Sequence, residues 1–248
     1  MGSWIDPYYS TGQFQGESDG FLDASYKIVE LQKLLESSRQ LSALFPLSRV
    51  ADVGCGSGHT TFLLQSMCSQ NGYGDVSVEG YDVHPAVLNY QGSTSVKFVR
   101  GDFCALDVPV FDLVVLFDVI EHVPAPVEFL RQVALRARFV ALHIPLDDSI
   151  FSWLRHLQLK NLSNPGHLLV LDPPSALNIV AMAGLRTILF RYSPVFRAPS
   201  GLISRGQKLV KPLRALLYRF NPYFLQKTLG GTSLMVLAAS PNAWGSVS

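Results

Sequence analysis

Long apolar runs, paired cysteines and an excess of one charge are all missing from this 248-residue chain, and each absence removes a class of function. No apolar stretch reaches the roughly 18 residues that a bilayer-spanning helix needs, so no transmembrane helix is expected. The three cysteines, Cys55, Cys68 and Cys104, show neither CxxC nor other metal-ligand spacing. They are expected as free thiols in a reducing, cytoplasmic compartment. Twenty Lys and Arg face nineteen Asp and Glu, a formal net charge of +1. Nothing in that balance favours nucleic acid, and no such partner is expected. The first residues lack the basic and then apolar run of a signal peptide, and Asp6 stands where a myristoylation signal has Ser or Thr.

What is present centres on residues 50–59, Val-Ala-Asp-Val-Gly-Cys-Gly-Ser-Gly-His. An acidic residue in a short apolar run is followed by alternate glycines and then by a helix-forming segment, which predicts strand, tight turn and helix. Glycines there permit positive φ and let a ligand approach the backbone. The spacing G-x-G-x-G differs from the dinucleotide fingerprint G-x-G-x-x-G, whose helix N-terminus carries a pyrophosphate.

Around this stretch the chain alternates strand and helix patterns. Residues 1–18 have the composition of a mobile arm. From Asp19, Phe21, Ala24, Ile28, Leu31 and Leu35 recur at helical spacing, Leu41 and Leu44 extend the stripe, and Pro46 closes the segment. This helix is expected to cover the sheet, with Tyr8, Tyr9 or Phe14 closing over a ligand as the alternative. Further strands are expected at Val76–Asp82, Val96–Arg100, Phe111–Phe117, Phe139–Pro145, Thr187–Tyr192 and Thr232–Ala239. Helices are expected at Pro126–Arg136 and Pro173–Ala183, the second stopped by Gly184. Residues 146–172 form an excursion without a sheet pattern, which is expected to be functional or a cap. Residues 204–229 are basic and apolar together. They suit a membrane surface or the cover of an apolar pocket, and the cover is preferred because Pro212 and Pro222 are expected to interrupt the helix.

In this order the motifs resemble those of class I S-adenosylmethionine-dependent methyltransferases, in the broad group of small-molecule and quinone O-methyltransferases. The resemblance covers residues 47–192 and the last strand. It rests on Asp52-Val53-Gly54-Cys55-Gly56-Ser57-Gly58, on Asp82, on Gly101-Asp102-Phe103 and on the segment from Asp118 to Val123. It implies an α/β fold, a Rossmann-like, mostly parallel seven-stranded sheet with helices on both faces and an inserted cap. Residues 1–46 would be an arm and covering helix. Residues 47–248 would be the methyltransferase domain, with acceptor-side insertions at 146–172 and 194–230. It also implies S-adenosylmethionine as methyl donor, leaving S-adenosylhomocysteine as product. The backbone of Gly54, Cys55, Gly56 and Gly58 would pass under the donor, and Asp52 would orient the turn. Asp82 with Val83 would hold the ribose, Asp102 and Phe103 would frame the adenine, and Asp118 would complete the pocket.

The segment 118–122 carries the chemistry. If a helical turn begins at Asp118, then Asp118, Glu121 and His122 share one face at i, i+3 and i+4. His122 is the expected general base, oriented by Glu121 or Asp118, and His167 in the excursion faces the substrate. His143, within a strand, is expected to be a packed core histidine. Similar acid and acid-His arrangements with a later His bind a metal in small-RNA 2′-O-methyltransferases and appear in quinone O-methyltransferases. Other relatives carry Glu-His without metal, and that reading ranks first here, so no metal is assigned and chelation is expected to leave most activity intact. The expected function is O-methylation of a small, partly hydrophobic metabolite. The alternatives are a non-catalytic S-adenosylmethionine-binding module acting through partners, and a nicotinamide-dependent oxidoreductase, which the missing fingerprint glycine argues against.

Overall fold

The computed structural model describes residues 17–38, 47–70, 73, 75–85, 87, 96–164, 166–199 and 205–244. Tyr8, Tyr9, Phe14, Leu41, Leu44 and Pro46, all named above, lie outside them. The elements are α1 (Glu17–Ser38), β1 (Arg49–Val53), α2 (His59–Gln70), β2 (Ser77–Asp82), β3 (Lys97–Arg100) and β4 (Phe111–Phe117). A 3-10 turn at Ile120–His122 leads to α3 (Pro126–Ala134), β5 (Ala137–Pro145), α4 (Ile150–Leu154), α5 (Leu157–Ser163) and α6 (Pro173–Met182). Then come β6 (Arg186–Ser193), α7 (Arg205–Phe220), α8 (Pro222–Thr228) and β7 (Ser233–Ala239).

The seven strands lie in the order β3-β2-β1-β4-β5-β7-β6, and β7 alone runs antiparallel, paired with β5 and β6. This is the expected α/β architecture. The strand order reverses between β1 and β4, whose parallel register pairs Asp52 with Val115. Ligands in open α/β sheets bind outside the carboxyl ends of the strands at such a reversal.

The central strands are apolar throughout because both faces are covered. Leu113, Val115, Phe139, Ala141, Met235 and Leu237 point to the layer made with α1 and α2. Val114, Leu116, Val140, Leu142, Val236 and Ala238 point to the layer made with α3 and α6. In α1 the buried side chains are Ala24, Lys27, Ile28, Glu30, Leu31, Leu34 and Leu35, so the apolar spacing marked the packed face except at Phe21, which is 52% exposed. The Asp172 side chain caps α6 by accepting from Ser175 N at 2.9 Å, with Pro173 in the first turn. Gly184, at φ +83°, ends it.

One expectation fails here. Pro212 lies inside α7, and the break comes at Asn221, which caps α8 ahead of Pro222. Pro212 is exposed, so the Lys208 carbonyl that loses its helical partner is open to water.

Candidate active site

The glycine loop is tied down from two directions. Gly54 N and Cys55 N donate to the Tyr81 carbonyl at 2.8 and 3.2 Å, fastening the end of β1 to β2. Gly54, Gly56 and Gly58 have φ of +79°, +54° and +80°. A Cβ on Gly54 would lie 2.5 Å from Val119 Cγ2, whereas one on Gly56 would meet nothing within 4 Å. Gly54 is thus required by the close approach of the segment leaving β4, and Gly56 borders open space.

Asp82 closes the loop: Oδ2 accepts from Gly56 N at 2.6 Å and Oδ1 from His84 N at 2.7 Å. Burial raises its carboxyl above the ordinary range, and the backbone N–H groups oppose the rise. Asp52 lies beneath the turn, 1% exposed, and accepts from Thr61 Oγ1 at 2.7 Å. Burial pushes its carboxyl up to about 7 against that hydrogen bond. Asp52 therefore ties β1 to the first turn of α2. The Cys55 thiol packs with Val87, Val96 and Phe98, so this residue offers the open space its backbone alone.

Val83 is half exposed beside Asp82, and Asp102 is exposed, its Oδ1 accepting from Cys104 N at 2.9 Å. Phe103 departs from expectation. Its ring is 2% exposed and sits 5.0 Å from that of Tyr81, in the core, which leaves Asp102 at the rim without an open aromatic face beside it.

The segment leaving β4 also differs from expectation. Asp118 adopts φ +54°, and only a 3-10 turn follows, so Asp118 does not share a helical face with Glu121 and His122. The left-handed residue turns its carboxylate back toward α1 and β5, 2.5 Å from Lys27 Nζ and 2.6 Å from His143 Nδ1. Burial opposes ionisation of Asp118, but Lys27 and His143 outweigh it and hold the carboxyl well below the usual range. Lys27 also pairs with Asp23. His143 is buried as expected, and it is a hydrogen-bond partner of Asp118 as well.

Glu121, His122 and His167 do converge. Glu121 is 1% exposed, and neither carboxylate oxygen has a hydrogen-bond partner among the described residues. His122 Nε2 and His167 Nε2 lie 3.8 and 3.9 Å from Glu121 Oε1, beyond hydrogen-bond reach. Glu121 therefore does not orient His122 as expected. That ring is held by its Nδ1, 3.1 Å from the Gly166 carbonyl, and the His167 ring by Asp147 Oδ2, 2.5 Å from Nδ1. Leu168 N donates to the Glu121 carbonyl at 2.8 Å, pinning the insertion to the 3-10 turn.

A buried carboxylate without partners is costly. Burial and the nearby Asp118 carboxylate accordingly raise the Glu121 carboxyl well above its ordinary value, while burial and then His167 lower His122. The ligand atoms of Glu121, His122 and His167 all lie within 4.8 Å of one another. Two imidazoles with Nδ1 anchored and Nε2 free, beside a carboxylate with both oxygens unsatisfied, fit a divalent cation.

Asp147 and Lys27 escaped the sequence reading. Asp147 follows the end of β5, where crevice residues are found, and that position was its signal. Lys27 falls among Ala24, Ile28 and Leu31 on the buried face of α1, and a lysine there needs a buried partner.

A methyltransferase-domain family matches residues 26–189. The malonyl-[acyl-carrier protein] O-methyltransferase of Neorickettsia risticii (strain Illinois) is 29% identical over 136 residues, 54% of this chain and 53% of that protein. The chain thus spans about half the length of that relative. Among solved structures, the magnesium protoporphyrin IX methyltransferase of Synechocystis PCC 6803 with bound SAH has a TM-score of 0.54 at 15% identity, covering 95% of this chain and 92% of its own. An S-adenosylmethionine-dependent methyltransferase from Archaeoglobus fulgidus has 0.50 at 17%, covering 84% and 94%. These structural likenesses concern the fold.

Proposed function

The chain belongs to the methyltransferase-domain family, as a class I S-adenosylmethionine-dependent enzyme, and from that premise we propose that it methylates an oxygen of a small, partly hydrophobic acceptor. S-adenosylmethionine is the cofactor. In this reading the donor lies over Gly56, its ribose hydroxyls meet Asp82, and the adenine lies toward Asp102. The sulfonium is already activated, so the protein has to align the attacking oxygen, the methyl carbon and the leaving sulfur. What remains is to take the proton of the acceptor when that acceptor is a hydroxyl.

The observation that carries this reading is the contact of Val119 with Gly54. It supports the reading because Glu121 and His122 follow Val119 by two and three residues, and the insertion adds His167. With Nδ1 bound to the Gly166 carbonyl, His122 in its Nδ1–H tautomer presents an Nε2 lone pair to an acceptor hydroxyl. His167, held by Asp147, does the same from the other side. The malonyl-[acyl-carrier protein] O-methyltransferase relative supports oxygen as the atom methylated. The test is transfer of labelled methyl groups from S-adenosylmethionine to a panel of hydrophobic alcohols, phenols and carboxylates, malonyl-[acyl-carrier protein] included. Labelling confined to amines or carbon acids would contradict the reading.

A second reading of the same cluster is favoured by Glu121, whose two oxygens have no hydrogen-bond partner among the described residues. Here Glu121, His122 and His167 would hold a divalent cation, which when bound would acidify a coordinated hydroxyl. Asp147 and the Gly166 carbonyl would then orient the imidazoles. Titration calorimetry with manganese, cobalt and zinc tests it directly: micromolar binding lost in His167→Ala supports it, and the absence of binding together with full activity in chelator returns the cluster to simple base catalysis.

A further inference from the structure

Helix α7 carries an apolar stripe that the described residues leave exposed. Leu209, Leu213, Leu216 and Phe220 recur at i, i+4, i+7 and i+11, on one side of the helix. Leu209 is 84% and Phe220 77% exposed. The helix is held from its other side. Buried Arg214 donates to the Leu229 carbonyl at 2.7 Å, with its guanidinium 5.6 Å from the centre of the Phe151 ring. Tyr218 donates to the Tyr192 carbonyl at 2.6 Å. The stripe is therefore presented outward on a fastened helix, while Tyr218 on the other side and Pro222 line a cavity with Leu189 and Tyr192. Helix α4 packs on α8, and in the α4–α5 segment Trp153 and Leu159 are likewise exposed. Single exposed apolar residues are ordinary, but a contiguous set marks an interaction site.

Charge decides what such a surface meets. Residues 149–248 contain eleven Lys and Arg and a single carboxylate, Asp172, whereas residues 1–148 contain nine Lys and Arg and eighteen carboxylates. Asp172 is itself paired with Lys227 at 2.8 Å. The near-zero net charge of the chain hides a division into an acidic and a basic part. On α7, Lys208 and Arg219 are exposed along one flank of the stripe and Lys211 is exposed on the opposite side, and none of the three makes an ion pair among the described residues. A second copy would bring like charges face to face. Nucleic acid would satisfy the lysines but leave the Leu and Phe side chains in water. An anionic bilayer satisfies both, with headgroups for the cations and acyl chains for the stripe.

We propose that α7, together with the α4–α5 segment, is a peripheral docking surface for an anionic lipid bilayer. Among the described residues no helix is long and apolar enough to cross a membrane, so the contact lies along the bilayer surface. The segment bearing Trp153 and Leu159 runs between Asp147 and His167, two residues of the acceptor cluster, so docking brings the bilayer next to the part of the chain that builds that cluster. The docking itself does not depend on which acceptor is methylated.

The test is co-sedimentation of the full chain with phosphatidylcholine vesicles, with and without phosphatidylglycerol. Binding is expected only with the anionic lipid, falling as salt rises. Lys208→Ser and Arg219→Ser should each weaken it about fivefold. Leu209→Glu with Phe220→Glu should weaken it more than about tenfold, with S-adenosylhomocysteine affinity unchanged as a check that the fold is intact. No sedimentation with anionic vesicles, equal binding of neutral ones, or undiminished binding by the Leu209→Glu/Phe220→Glu variant would overturn the proposal. So would a dimer in sedimentation velocity that the same variant abolishes, or tighter binding to an oligonucleotide than to vesicles.

Discussion

His167 Nδ1 lies 2.5 Å from Asp147 Oδ2, and the opposite ring nitrogen faces Glu121 Oε1 at 3.9 Å. The carboxylate at the end of β5 thereby selects the nitrogen that His167 offers to the crevice. A partner on Nδ1 fixes both the tautomer and the ring plane.

Replacing that partner should therefore act through His167. Asp147→Ala is expected to lower turnover roughly 10- to 100-fold while S-adenosylhomocysteine affinity, measured by calorimetry, stays within about twofold of wild type. Equal losses of donor affinity and turnover would instead place Asp147 among the groups that shape the donor pocket.

Lys27 and Asp118 form the link between α1 and the end of β4. Lys27→Met leaves Asp118 with His143 as its one remaining partner, and removing one member of such a pair is strongly destabilising. Because the Asp118 side chain is 28% exposed, the expected loss is about 2 kcal/mol, below the roughly 3–5 of a fully buried pair. Urea unfolding measures it, and Lys27→Met/Asp118→Asn should recover part of the loss. Independent, additive effects would show that the two residues are not coupled.

Two neighbouring glycines should respond differently. Gly54→Ala combines φ +79° with a methyl 2.5 Å from Val119 Cγ2, and is expected to destabilise the fold by about 2–3 kcal/mol. Gly56→Ala, at φ +54° with open space around it, should cost about 1 kcal/mol. Its main effect should be on donor affinity, because the new methyl enters space that the donor takes. Thermal shift with and without S-adenosylhomocysteine separates the two, and equal loss of donor binding at both positions would contradict the assignment.

Asp52 gives the fold a pH dependence of definite sign. Its folded pKa, about 7, is above the 3.8 of an unperturbed Asp. Between those values the folded state binds more protons than the unfolded one, so this group's contribution to stability falls as pH rises from about 4 to about 7. Asp52→Asn retains an acceptor for Thr61 and should flatten that part of the stability–pH curve in urea titrations. A curve of unchanged slope would mean that Asp52 is ionised throughout.

The fold was legible because the central strands are apolar on both faces and the glycine loop marks where β1 ends. Strand boundaries moved by only a residue or two, at β2, β3, β5, β6 and β7. The convergence of Glu121, His122 and His167 was legible as a set of residues but not as a geometry. Helical spacing placed Asp118 with them, and one left-handed residue carried it away to Lys27 and His143. Phe103 was read as an adenine face because it follows Asp102, yet its apolar ring found the core beside Tyr81. Pro212 was read as a break, although an exposed helix position tolerates the lost bond. Except at Pro212, each miss is a tertiary contact overriding a local pattern.

The central claim is that donor and acceptor sites are separate parts of one crevice, with His122 and His167 on the acceptor side. Its most direct test compares His122→Ala and His167→Ala with wild type, measuring S-adenosylhomocysteine affinity by calorimetry and methyl transfer to the best acceptor from the panel. Both variants should keep donor affinity within about twofold and lose about a hundredfold or more in turnover. Turnover close to wild type in either variant would contradict the account.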